Sequence, residues 1–308
     1  MPPESKFRRQ QHKRPPSAGL RKASRARHIV PLAGFGLLAA LILLHETLLA
    51  NAGETEKAGQ ATTAREDTGS QTTTAIAARL SQAYPEHIAG IRDGLVVWRD
   101  GTTMPLDDGR GAKNHAQWLA EPDIEDMLAK PYRPGPVAGP PPTEDDPGRA
   151  RNAAFFNKMY GDCRAGTVKG KLVDVVWLPN KSGTRLKVTS VNGVAARLTA
   201  ISRALDALPA RFDRYLIPPA GTYVCRQIAG TDRVSAHGYG IAIDIATAEA
   251  DYWRWSKPGP DGRPVWRNRI PQEIVAIFEA QGFIWGGKWH HHDTMHFEYR
   301  PELLPPTE

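Results

Sequence analysis

Cysteine is scarce in this sequence: Cys163 and Cys225 are the two present among 308 residues. Neither lies in the histidine clusters described below, which excludes a thiolate-rich structural zinc site there. One pair fits an oxidising compartment, where it can close a single disulfide, and two buried thiols are the alternative. Long apolar runs are also scarce. The one uncharged stretch, Ile29 to Leu44, has sixteen residues, so a multi-span membrane protein is excluded. No phosphate-binding glycine loop occurs, because Gly286-Gly287 precedes an expected strand and not a helix. No internal repeat is present. Apolar residues at 41% and charged ones at 24% lie near globular averages, which argues against wholesale disorder.

Acidic residues are nearly missing from residues 1–28, where nine Lys/Arg face Glu4 alone for a net +8. The other 280 residues then hold 31 basic and 32 acidic side chains, a net −1. The overall +7 is therefore a tail property and no sign of a nucleic-acid surface on the folded part. The basic tail followed by the apolar run predicts an N-terminus in the cytoplasm and all later residues outside it. Sixteen helical residues span roughly 24 Å of a ~30 Å hydrocarbon layer, so residues up to Ala50 are needed to complete a crossing. Ala50-Asn-Ala52 resembles a signal-peptidase site. Residues 29–50 are thus either a single-pass anchor, leaving the rest periplasmic, or a cleaved signal that leaves it secreted.

Residues 51–74 contain no large apolar side chain and are expected to form a flexible linker. Residues 75–130 regain hydrophobic pattern as an N-terminal extension: Ala75 to Ala83 and Ile124 to Leu128 as helices, Leu95 to Trp98 as a hairpin arm. Seven prolines between Pro131 and Pro147 mark residues 131–150 as an extended spacer or long loop. Residues 151–305 are expected to form one domain. Strands are predicted at Val173–Leu178, Arg185–Thr189, Thr222–Ile228, Ile241–Ala246, Phe283–Trp285 and Met295–Tyr299. A helical stripe runs through Leu198, Ile201, Leu205 and Leu208, and Pro271 opens another helix that Gly282 closes. The fold class is α+β: a small antiparallel sheet flanked by helices, with a site in its cleft.

Five of the ten histidines fall within sixty residues, at positions 237, 290, 291, 292 and 296. In Ser235-Ala-His237-Gly-Tyr-Gly240-Ile-Ala-Ile-Asp244, strand alternation sends the isoleucines one way and Asp244 the other. His237 is seven residues from Asp244, an odd separation, so Gly238 and Gly240 must supply a turn to bring the imidazole back. In Asp293-Thr-Met-His296-Phe-Glu298-Tyr, His296 and Glu298 share the face opposite Met295, Phe297 and Tyr299. One His and one Asp from the first cluster with one His from the second make a three-ligand site. Its fourth position stays open for water, as in catalytic zinc centres.

These clusters resemble the Ser-x-His-x-x-Gly-x-Ala-x-Asp and Asp-x-x-His-Phe-Glu motifs of the M15 zinc metallopeptidases, which include D-alanyl-D-alanine carboxypeptidases and endolysins. Cys225-Arg226 to Ile245, Phe283 to Trp289 and Asp293 to Pro301 are similar to the VanY-like branch. The resemblance spans roughly residues 150–305. It implies His237, Asp244 and His296 as Zn2+ ligands and Asp293 as the acid/base, where some relatives have Glu. It implies Arg226 as the group that holds a substrate carboxylate or the oxyanion, with Arg233 as a rival. His291, Glu298 and Ser235 are implied in supporting roles: His291 near the site, Glu298 orienting a ligand, Ser235 capping the turn. His290 and His292 are expected to be solvated. Tyr252, Trp253 and Trp255 either line a groove or join the core. The implied partners are peptidoglycan stem peptides, cut by a carboxypeptidase or an endopeptidase, and a non-catalytic wall-binding module is the other-class alternative.

Overall fold

Alternation and capping explain the elements nearest the site. The structure, a computed structural model, describes residues 74–255 and 257–305. The expected basic tail (1–28), membrane or signal segment (29–50) and all but the last residue of the linker (51–74) lie outside the described residues. Among the described residues no helix is long and apolar enough to cross a membrane.

The chain begins with helical residues 74–83 (α1) and a three-stranded antiparallel meander of β1 (Ile88–Arg92), β2 (Leu95–Trp98) and β3 (Thr103–Pro105). Two short helices follow, α2 (His115–Ala120) and α3 (Ile124–Leu128), each opened by a capping box from Asn114 or Asp123. After the proline-rich run comes α4 (Ala153–Tyr160), capped by Asn152. The hairpin β4 (Leu172–Trp177) and β5 (Thr184–Thr189) packs against α5 (Val194–Asp206) through buried Val175, Trp177, Leu198 and Ile201. Helix α6 (Asp213–Leu216) leads to the third sheet, ordered β6 (Ala242–Asp244), β8 (His296–Tyr299), β7 (Phe283–Trp285), with α7 (Gln272–Glu279) before β7. All sheets among the described residues are small and antiparallel, as expected, but there are three of them rather than one.

Thr222–Ile228 is not a strand. Its one ladder contact is the isolated bridge of Gln227 with Val234; Cys225 is tied to Cys163 by a disulfide, and residues 224–227 are exposed. Of the two readings of the proline-rich residues, extended spacer or long loop, the structure has the loop, and it is packed. Tyr132 donates its backbone N–H to Leu303 O at 2.9 Å, and Trp289 Nε1 donates to Pro147 O at 2.6 Å. Buried side chains of the extension (Leu80, Tyr84, Trp98, Met127) belong to the same core as Phe155, Trp177 and Phe297. Trp98 and Phe155 rings lie 5.3 Å apart. Lacking strand or helix pattern, residues 131–150 pack through backbone carbonyls that accept from distant side chains.

Candidate metal centre

Cross-strand register sets two of the three donors side by side: Asp244 on β6 pairs directly with His296 on β8. Ile241, Ile243 and Ile245 are fully buried on the other face. The third donor arrives by the turn the glycines allow. Residues Ala236–Tyr239 form a short 3₁₀ turn that ends at Gly240 with φ +70°, where a Cβ would meet Thr189 N at 2.9 Å. His237 is thereby carried over Asp244. The Ser235 side chain makes no capping hydrogen bond to this turn; its backbone N–H donates to Arg226 O instead.

The donor atoms converge. His237 Nε2 lies 3.2 Å from Asp244 Oδ1 and 3.2 Å from His296 Nδ1, and His296 Nδ1 lies 2.9 Å from Asp244 Oδ1. For metal–ligand bonds of about 2.0 Å, tetrahedral geometry requires ligand atoms roughly 3.3 Å apart, so the triangle matches one face of a zinc tetrahedron. The outer nitrogens are committed elsewhere. His237 Nδ1 donates to Thr222 O at 2.5 Å, and His296 Nε2 donates to Glu298 Oε2 at 3.0 Å. Each imidazole thus turns its remaining nitrogen toward the other donors; on His296 that nitrogen shares a proton with Asp244, which an incoming ion displaces. Two neutral imidazoles and one carboxylate form a donor set suited to zinc and leave a fourth corner open.

Electrostatics fit the same reading. Burial works against the Asp244 carboxylate, but His237 and His296 outweigh it and hold it well below the usual range. Burial would lower His296, yet its hydrogen bonds to the Asp244 and Glu298 carboxylates raise it to about 10. Glu298 is fully buried, and Arg151, His296 and Arg300 overcome its desolvation and keep it ionised. Arg300 in turn donates to Gly148 O at 2.7 Å and pairs with buried Glu302, which accepts from Tyr84 Oη at 2.6 Å. Glu298 therefore orients His296 at the head of a buried charge chain.

Asp293 stands at the mouth of β8, on a cleft of about 330 Å³ shared with Asp244 and His296. Its Oδ1 is buried without a hydrogen-bond partner, and desolvation, against the pull of His296, raises its pKa to about 6. Arg226 lines the same cleft from an exposed position, and Arg233 does not line it: it donates to Arg149 O at 3.1 Å. Arg149 and Arg151 also line the cleft, and sequence reasoning missed both. Their signal was the pair Arg149-Ala-Arg151 just before the Asn152 cap, hidden inside a run read for its prolines. Tyr252 and Trp255 line the cleft too; Trp255 is 58% exposed and belongs to the groove, while Tyr252 also packs against the core. His291 is not among the lining residues; its Nδ1 bonds Asp146 Oδ2 at 2.7 Å. His292 is buried and not solvated, and His290 is half-buried.

Residues 229–299 match the M15 family model described as D-alanyl-D-alanine carboxypeptidase. Over this segment the chain is similar to M15 peptidases. That segment contains His237, Asp244, Asp293 and His296, and Arg226 lies three residues before it. No curated protein and no solved structure matches the chain.

Proposed function

We propose that the protein is a zinc-dependent peptidase that trims cell-wall stem peptides as a D-alanyl-D-alanine carboxypeptidase. The observation that carries this reading is the triangle of His237 Nε2, Asp244 Oδ1 and His296 Nδ1, with an unpartnered carboxylate beside it. A zinc ion held by those three atoms supplies Lewis acidity and acidifies a water toward neutral pH. Asp293 would accept the attacking water's proton and hand it on to the leaving amine, a task that favours a base with a pKa near the working pH. Thr222 O and Glu298 keep the two imidazoles from rotating out of register. Arg226 offers an exposed guanidinium on the cleft wall to the terminal carboxylate, which selects a chain end over an internal bond. The exposed Trp255 and Tyr252 give the peptide an apolar surface to lie on.

The reading includes export, through the basic tail and apolar run, as a single-pass membrane protein with its catalytic part outside the cytoplasm. The bonded Cys163–Cys225 pair is consistent with an oxidising compartment. Mass spectrometry of muropeptides incubated with the zinc-loaded protein tests the specificity. Loss of one terminal alanine supports the carboxypeptidase reading, and separation of cross-linked stems replaces it with an endopeptidase. Unchanged muropeptides under both zinc loading and prolonged incubation point to a wall-binding module.

A further inference from the structure

Outside the cleft, a second set of nitrogen and oxygen donors converges from three distant parts of the chain. Asp146, in the proline-rich strap, is fully buried, and its Oδ2 lies 2.7 Å from His291 Nδ1 and 3.5 Å from His115 Nε2. Its Oδ1 accepts the His291 backbone N–H at 2.9 Å, which fixes the carboxylate plane. The His115 ring, in the first turn of α2, stacks on that of His291 with centroids 5.8 Å apart and planes 24° from parallel. Both His115 ring nitrogens are buried and have no hydrogen-bond partner. A neutral or protonated imidazole carries at least one N–H, so this arrangement leaves a donor unmet. A buried polar group left in this way calls for an occupant.

We propose that His115, Asp146 and His291 form a second divalent-cation site, distinct from the His237–Asp244–His296 centre. Two imidazoles and one carboxylate make a borderline donor set, suited to zinc with a water completing the shell. The way in is open at the histidine edge, where His115 and His291 side chains are 13% and 22% exposed while Asp146 is closed off. Burial lowers the His115 pKa, which keeps a lone pair available at neutral pH. The cation ties α2, the strap and the segment before β8 into one unit, closing loops that would otherwise cost entropy to hold. Its influence reaches the cleft by one step: the His291 carbonyl accepts from Arg149 Nη1 at 3.0 Å, and Arg149 lines the cleft wall. The site is structural, and its existence does not depend on what the cleft cleaves.

The test is zinc stoichiometry of the purified full chain, stripped by chelator and titrated with zinc alone against a competing dye. Wild type takes two equivalents, His115→Phe takes one and His237→Ala takes one. Phenylalanine keeps the ring stack and removes both nitrogens. A melting curve at each step separates site loss from unfolding: the equivalent held at His115, Asp146 and His291 raises Tm in wild type and in His237→Ala and is not bound by His115→Phe. One equivalent in wild type, unchanged in His115→Phe, overturns the proposal, and so do two equivalents that survive His115→Phe. If His115→Phe does not fold, His237→Ala decides alone, since retention of one equivalent supports the second site and retention of none overturns it. Failure of the first centre gives a different pattern, with His237→Ala titrating like wild type.

Discussion

His296 is bonded at both ends, to Asp244 through Nδ1 and to Glu298 through Nε2, and this governs how the centre responds to pH. Its pKa of about 10 means that the metal-stripped protein holds a proton on this ring at neutral pH, which an incoming ion must displace. Zinc affinity therefore rises with pH, by about tenfold per unit in the limit of one proton released. Chelator competition at pH 6, 7 and 8 measures the slope, and a flat affinity contradicts the assigned hydrogen bonds. The sign for stability is opposite. A ring whose pKa is raised on folding stabilises the native state below its ordinary 6.5 and loses that contribution as pH rises toward 10. Asp293→Asn is isosteric and removes only the base, so it is expected to bind zinc as wild type does and lose about 10²–10⁴ in turnover. These residues were legible in the sequence because ligand chemistry limits donors to a few types at fixed spacing on a strand. Arg149 and Arg151 were not, since a surface arginine and a cleft arginine look alike until the chain is folded.

At the scale of elements, the strap before α4 is the part that composition misjudged. Prolines exclude helix and central strand, but they do not say whether a segment is solvated or packed. Gly148 shows the packing: with φ +89°, an added Cβ meets Ile284 Cδ1 at 2.4 Å and Glu298 Oε1 at 3.2 Å. Its carbonyl also accepts from Arg151 and Arg300. Gly148→Ala is expected to destabilise the protein by about 1–3 kcal/mol through overpacking and backbone strain, read as a lower urea midpoint. An unchanged midpoint argues that the strap floats free. The strands at 241–246 and 295–299 were readable because a period of two survives burial on both faces of β8. Thr222–Ile228 has the same β-rich composition without a ladder: a disulfide and one bridge hold it instead of a neighbouring strand.

Across the described residues, the extension and the segment matched by the family model share one core and one chain of buried charges. Tyr84, next to α1, donates to Glu302, which pairs with Arg300, which pairs with Glu298 behind His296. Tyr84→Phe leaves Glu302 short of a donor and is expected to cost about 1–3 kcal/mol of stability, measured by denaturant titration. It also leaves the three metal donors in place, so zinc stoichiometry stays as in wild type. The most direct test of the central claim is an anomalous difference map, recorded at the zinc edge from crystals of the zinc-loaded protein. The account predicts a peak about 2.0–2.2 Å from His237 Nε2, His296 Nδ1 and an Asp244 carboxylate oxygen. A map with no density between those atoms, in crystals that contain zinc elsewhere, would contradict it.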